Sequence, residues 1–221
     1  MRLSGRRERL TDKLLIVAFG DSLTVGYRSP TVEEEEPLLA PYTAFLKRRT
    51  ERMPELRGAG NLEVEFLNRG VVGELTEDML DRFDSDVLRP EPHSVIVLGG
   101  SNDLGWGVQP QDIAENLAEM TDRALSHGIQ PVACTVPSVL GFDEGIQPRL
   151  RLNGLIQRQS EDRHVVCVDL FSATSDPTGR LRDDYSNDGL HLSVAGYEAM
   201  GEALFSGAIR GIILERIRGT G

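Results

Sequence analysis

The sequence predicts an α/β fold, a three-layer α/β/α sandwich built on a five-stranded parallel sheet. Three observations carry this reading. Five short runs rich in β-branched residues recur at 14–19, 62–67, 95–98, 129–136 and 165–170. Segments of helical periodicity separate them, and strands alternating with helices assemble as βαβ units around a parallel sheet. No internal repeat and no Gly/Ser-rich linker divides the chain. Residues 1–221 are therefore expected to form one domain, with its core over about 14–216 and a charged N-terminal segment at 1–12.

The elements follow in chain order. Residues 14–19 are apolar throughout and form the first expected strand. A helix is expected over 42–53, before the strand at 62–67, and another over 74–88, before the strand at 95–98. The clearest helix follows Pro110, where Ile113, Leu117, Met120 and Leu125 are spaced to share one face. Asp112 and Glu115 are read in its first turn, where the helix dipole favours negative charge. The strand at 129–136, a helix over 149–160 and the strand at 165–170 come next. A closing helix begins after Ser193, a suitable N-cap, with Val194, Tyr197, Leu204, Ala208 and Ile212 as its apolar positions. Glu33, Glu34, Glu35 and Glu36, between Pro30 and Pro37, read as a solvated loop, because a block of like charges repels itself.

Composition narrows the function. The 221 residues carry 24 basic and 35 acidic side chains, for a net charge of −11. Nucleic acids and anionic membranes are held by basic faces, so neither is an expected partner. Seven Phe, four Tyr and one Trp are too few to suggest a base-stacking platform. The apolar stretch at 14–19 falls far short of the ~20 residues of a membrane span. It follows a charged dozen without a signal-type cleavage site. The expectation is a soluble, unexported, cytoplasmic protein. Cys134 and Cys167, each within an apolar run, suit reduced core thiols better than a disulfide framework.

Ligands of open parallel sheets bind beyond the carboxyl ends of the strands. Gly20-Asp21-Ser22-Leu23-Thr24 follows the first strand, Asn68-Arg69-Gly70-Val71-Val72-Gly73 the second, and Gly99-Gly100-Ser101-Asn102-Asp103 the third. Asp188-Gly189-Leu190-His191 precedes the last helix. A serine hydroxyl needs a base to attack at neutral pH, and histidine is the usual one. The imidazole in turn needs a group that fixes its tautomer and stabilises the imidazolium. Ser22, His191 and Asp188 supply that set. Alone, Asp188 and His191 equally describe a capping aspartate beside a surface histidine, and Ser22 alone a helix cap. Their meeting on one sheet edge is what favours chemistry.

These four segments resemble, in order, the signature blocks of the GDSL (SGNH) hydrolase family, over residues 14 to about 205. The resemblance implies a flavodoxin-like fold and a serine esterase, lipase or related acylhydrolase activity without a cofactor. By position it implies Ser22 as nucleophile and as an oxyanion-hole donor through its backbone N–H. Gly73 would give a second backbone N–H, Asn102 a side-chain amide, and His191 the base oriented by Asp188. Asn68-x-Gly70-x-x-Gly73 leaves two glycines to choose between. The family's spacing favours Gly73, with Gly70 expected to permit the turn. Residue chemistry agrees with these roles: a glycine lets backbone approach a substrate closely, and Asn offers a neutral donor. Asp103 is expected to brace its loop, and Asp21 to hold its own turn through side-chain to backbone bonds.

Rival motifs are missing from the chain. Thr24 stands where a nucleophile elbow would have its second glycine. There is no phosphate-cradling Gly-Lys-Ser/Thr loop and no His-Glu-x-x-His. His93, His127 and His164 lack ligand-spaced partners, so no metal is expected. The reading is a serine carboxylester hydrolase acting on short, neutral acyl esters as small-molecule substrates. The same residues would serve carbohydrate deacetylation, thioester or lysophospholipid hydrolysis, or acyl transfer. The non-enzymatic alternative is a small-molecule binding module with an inert serine. Loops at 26–40 and 138–148 are the expected pocket builders. Trp106 either lines the cleft or plugs a gap beside the sheet. If Glu33 to Glu36 border the cleft, their potential disfavours anionic esters. Oligomeric state is left open.

Overall fold

A computed structural model of the protein describes residues 12–30, 39–57 and 62–219. At its centre lies a sheet of β1 (Lys13–Gly20), β2 (Glu63–Gly70), β3 (Ser94–Leu98), β4 (Gln130–Cys134) and β5 (Val166–Val168). All pairings are parallel, in the order β2-β1-β3-β4-β5. This is the flavodoxin-like order of a doubly wound α/β fold, with its switch point between β1 and β3.

The helices are α1 (Ser22–Val25), α2 (Tyr42–Glu51), α3 (Pro54–Arg57), α4 (Thr76–Phe83), α5 (Ser101–Gly105), α6 (Pro110–Ser126), α7 (Ile146–Asp162), α8 (Leu170–Thr174), α9 (Val194–Leu204) and α10 (Arg210–Gly219). Successive strand side chains point to opposite faces, which sorts the core into two layers. Leu14, Ile16 and Ala18 of β1 meet Tyr42 and Leu46 of α2 and Tyr197 and Met200 of α9. Val17 and Phe19 meet Met79 and Phe83 of α4, Ile113 and Met120 of α6, and Leu152 of α7. Burying a side chain of this size contributes about 1.5–3 kcal/mol.

The expected strands and long helices are present, with informative departures. Leu125 and Val194 are exposed. In α6 the buried face runs through Thr121 and Ala124 instead, because a step of five from Met120 overshoots the 3.6-residue turn. Val194 is the first residue of α9, where Ser193 caps the Gly196 N–H and turns the side chain outward from the core. Glu115 lies past the first turn of α6, which holds only Asp112 as an acid. The closing helix is interrupted by a π turn at Phe205–Ile209, and α4 is continued by another at Asp84–Leu88. Leu170 belongs to α8 rather than to the fifth strand, since the Asp169 carboxylate caps the Ser172 N–H and starts a helix there. Cys134 is buried and Cys167 half-buried, both as free thiols, and burial raises both, that of Cys167 to about 11. Glu33 to Glu36 lie outside the described residues.

Candidate active site

The strand ends are laced together at close range. At the end of β1, a Cβ on Gly20 would come within 2.1 Å of the Leu98 carbonyl oxygen, so only glycine fits between β1 and β3. Asp21 then caps α1 by accepting the Leu23 N–H at 2.9 Å. This leaves Ser22 as the first residue of the short helix. On β2, the Asn68 amide donates to the Thr24 carbonyl at 2.7 Å. A Cβ on Gly70 would lie 2.4 Å from the Val25 nitrogen. Against the expectation that Gly70 permits the turn, it ends the strand and lets β2 abut α1. The positive φ belongs to Gly73, at 79°, where a Cβ would meet no atom within 4 Å. The Asn102 side-chain amide donates to the Glu74 carbonyl at 2.9 Å, using one of its two N–H groups. The buried Asp103 carboxylate accepts from both the Thr76 N–H and the Thr76 hydroxyl, clamping the start of α4.

Ser22, His191 and Asp188 meet although 169 positions separate the first two. His191 Nε2 is 3.1 Å from Ser22 Oγ, and His191 Nδ1 is 2.7 Å from Asp188 Oδ2. Asp188 Oδ1 accepts the backbone N–H groups of Leu190 at 2.9 Å and His191 at 2.7 Å. The three-residue spacing works because the carboxylate folds its own turn around the imidazole. Partial burial opposes ionisation of Asp188, but the Ser29 hydroxyl, the His191 ring and the two backbone donors outweigh it and hold the carboxyl at about 2.

Two residues of this arrangement had no sequence signal. Ser29 donates its hydroxyl to Asp188 Oδ2 and its backbone N–H to Asn187 Oδ1 at 2.6 Å. Tyr27 packs edge-on against the His191 ring, with centroids 4.7 Å apart. Its carbonyl accepts the Tyr197 hydroxyl at 2.6 Å. The first part of the loop at 26–40 therefore grips the His191 turn rather than building a pocket wall.

A cleft of about 590 Å³ opens beside these groups, lined by Asn102, Leu104, Trp106, Val139, Phe142, Arg149, Asp188 and Leu190 among others. Trp106 stands in its wall 80% exposed, so it does not plug a gap beside the sheet. Part of the loop at 138–148 also lines it. Arg149 is a third residue that sequence reasoning passed over. It is buried and donates to the Gly145 carbonyl and the Ser101 hydroxyl, both at 3.1 Å. No carboxylate pairs with it among the described residues, and burial lowers its guanidinium to about 10. Asp21 is buried with Oδ2 unpartnered, and desolvation raises it to about 7. Among the described residues no cluster of His, Cys, Asp and Glu could hold a metal ion. None of the described helices is long and apolar enough to cross a membrane.

The chain belongs to the GDSL-like Lipase/Acylhydrolase family, whose model matches residues 18–199. It is 35% identical over 133 residues to the uncharacterized lipoprotein YqeF of Bacillus subtilis strain 168, covering 57% of this chain and 50% of that protein. The chain thus spans about half the length of that relative. Among solved structures it is similar to a lipase/acylhydrolase from Enterococcus faecalis, with a TM-score of 0.70 and 27% identity over 87% of this chain and 94% of the other. The acetylxylan esterase Axe2 of Geobacillus stearothermophilus shares the fold, with a TM-score of 0.69 and 19% identity over 89% of this chain and 93% of the other. That YqeF is named a lipoprotein overturns the expectation of a cytoplasmic protein. The expectation rested on the lack of an apolar span, on the lack of a signal-type cleavage site and on two cysteines suited to reduced core thiols; the first bears on membrane crossing alone.

Proposed function

Starting from membership of that family, we propose that the chain is a serine carboxylester hydrolase, one catalytic domain working through an acyl-enzyme. The observation that carries the reading is the continuous hydrogen-bonded path from Ser22 through His191 to Asp188. Ser22 Oγ attacks the ester carbonyl carbon while His191 Nε2 takes its proton. Asp188, held ionised by its donors, keeps Nδ1 protonated and stabilises the imidazolium. Negative charge gathers on the carbonyl oxygen, and the backbone N–H groups of Ser22 and Gly73 with the second N–H of Asn102 receive it. Each such donor contributes about 2.7–4 kcal/mol to the transition state. The tetrahedral adduct collapses, His191 protonates the leaving alcohol, and water repeats the sequence to release the acid. The cycle needs no cofactor.

Short acyl esters are the proposed substrates, with the alcohol side lying along the cleft. One observation favours a sugar ester within that class. Trp106 and Phe142, 80% and 57% exposed, present flat apolar surface at the cleft, and exposed rings of this kind stack on the C–H face of a sugar. The acetylxylan esterase that shares the fold acts, by its name, on such an ester.

Steady-state turnover of p-nitrophenyl acetate tests the reading. Ser22→Ala is expected to abolish it while thermal unfolding stays near that of the wild type. More than a few per cent of residual kcat would remove Ser22 from the nucleophile role. Comparing acetyl with decanoyl esters checks the acyl preference, and faster turnover of the longer chain would reverse it.

A further inference from the structure

Ser22, Gly73 and Asn102 stand on three separate segments, after β1, β2 and β3, and no peptide continuity sets their spacing. One side chain bonds to the first two segments directly and to the third through Glu74. The Arg82 guanidinium, on α4, has five N–H groups and five acceptors. Its Nη2 donates to the Gly20 carbonyl at 3.1 Å, two residues before Ser22, and to Glu74 Oε2. Its Nη1 donates to the Arg69 carbonyl at 3.0 Å, in the strand that leads to Gly73, and to Asp86 at 2.8 Å. Its Nε donates to Glu74 Oε1 at 2.6 Å. Glu74 follows Gly73 in the chain, and its carbonyl is the acceptor that holds the Asn102 amide. The guanidinium carbon lies 4.2 Å from the centre of the Phe19 ring, which fixes its plane. The Arg82 and Glu74 side chains are only 17% and 8% exposed, so water does not compete strongly for these bonds.

We propose that Arg82, paired with Glu74, is a positioning residue that sets the oxyanion site by fixing the segments of Ser22, Gly73 and Asn102 relative to one another. The proposal rests on the hydrolase reading above. It touches no substrate and moves no proton. Its effect is on where three N–H groups point, and a displacement of about 1 Å in such a site costs on the order of 100-fold in rate. Lysine cannot replace it, since an ammonium has three donors and no planar fork.

Arg82→Lys, Arg82→Ala and Glu74→Gln, compared with wild type and Ser22→Ala, test the proposal. The readouts are kcat and KM for p-nitrophenyl acetate and the inhibition constant of phenylboronic acid, whose adduct on a serine is tetrahedral. Arg82→Lys is expected to lower kcat by about 10- to 100-fold, with KM changed by less than about threefold. Boronate affinity is expected to fall in proportion to kcat/KM across the set. Guanidinium ion in the buffer is expected to restore part of the Arg82→Ala rate, whereas ammonium is not. If Arg82→Ala does not fold, Glu74→Gln, which keeps the shape and loses the charge, carries the same readouts. Variants that melt earlier yet keep wild-type kcat and boronate affinity would reduce Arg82 to a fold support and overturn the proposal. Undiminished turnover by Ser22→Ala would instead bring down the Ser22 acyl-enzyme reading, whatever Arg82 does.

Discussion

In the Ser22 turn, Asp21 Oδ1 accepts the Leu23 N–H at 2.9 Å, and in the His191 turn, Asp188 Oδ1 accepts the Leu190 N–H at the same distance. The two turns share a local design, an aspartate folding its own backbone. They differ in what reaches the other carboxylate oxygen. Asp21 Oδ2 is buried with no partner, and Asp103 and Glu74 add like charge, so burial raises the group to about 7. Asp188 Oδ2 receives the Ser29 hydroxyl and the His191 ring, and the group stays at about 2. The same short motif thus yields a reluctant acid beside Ser22 and a persistent anion beside His191. Donors from elsewhere in the chain decide which.

The largest break in this comparison comes from removing the anion. Asp188→Asn is expected to lower kcat/KM by about 10³- to 10⁴-fold, because the imidazole loses both its tautomer control and the charge that stabilises it. Steady-state kinetics at fixed pH checks this, and a loss below tenfold would show that His191 is oriented by something else. Ser29→Ala removes one donor and leaves the carboxylate in place. Losing a bond to a partly exposed charged group is expected to reduce kcat/KM about 3- to 10-fold. It is also expected to lessen acid resistance. The lowered Asp188 contributes stability that is present above the unfolded value of 3.8 and is lost as pH falls toward about 2. Acid unfolding of Ser29→Ala should begin at higher pH than that of the wild type, and coincident curves would refute the role of Ser29.

The smallest effect has the opposite sign. Asp21 binds its proton more tightly folded than unfolded, so its stabilising contribution is whole below 3.8 and is lost as pH rises through about 7. Asp21→Asn cannot ionise. Its melting temperature relative to the wild type is expected to improve by a few degrees between pH 5 and pH 8. A difference that stays constant with pH would mean that Asp21 does not titrate in this range.

Much of this arrangement was legible in the sequence, because short motifs at strand ends carry their own geometry. Ser22 after β1, Asn102 after β3 and the Asp188-x-x-His191 turn all depend on local spacing, and the sheet order brings them to one edge. Ser29 and Tyr27 were not legible, since a lone serine or tyrosine in a loop says nothing about an aspartate or histidine more than 150 positions away. Arg82 and Arg149 look like ordinary helix-surface cations, and only packing shows where they end. Gly70 and Gly73 illustrate the limit of spacing arguments. Both are glycines of one segment, yet steric approach to Val25 demands the first and a positive φ the second. Helices α1 and α5 escaped because four or five residues show no periodicity.

The central claim is that Ser22 is the group that becomes covalently acylated, activated by His191. Labelling with a fluorophosphonate, followed by proteolysis and mass spectrometry, tests it most directly. One adduct per chain is expected, on the peptide containing Ser22, forming at least 100-fold more slowly in His191→Ala. An adduct on another serine, or equal labelling of Ser22→Ala, would contradict the account.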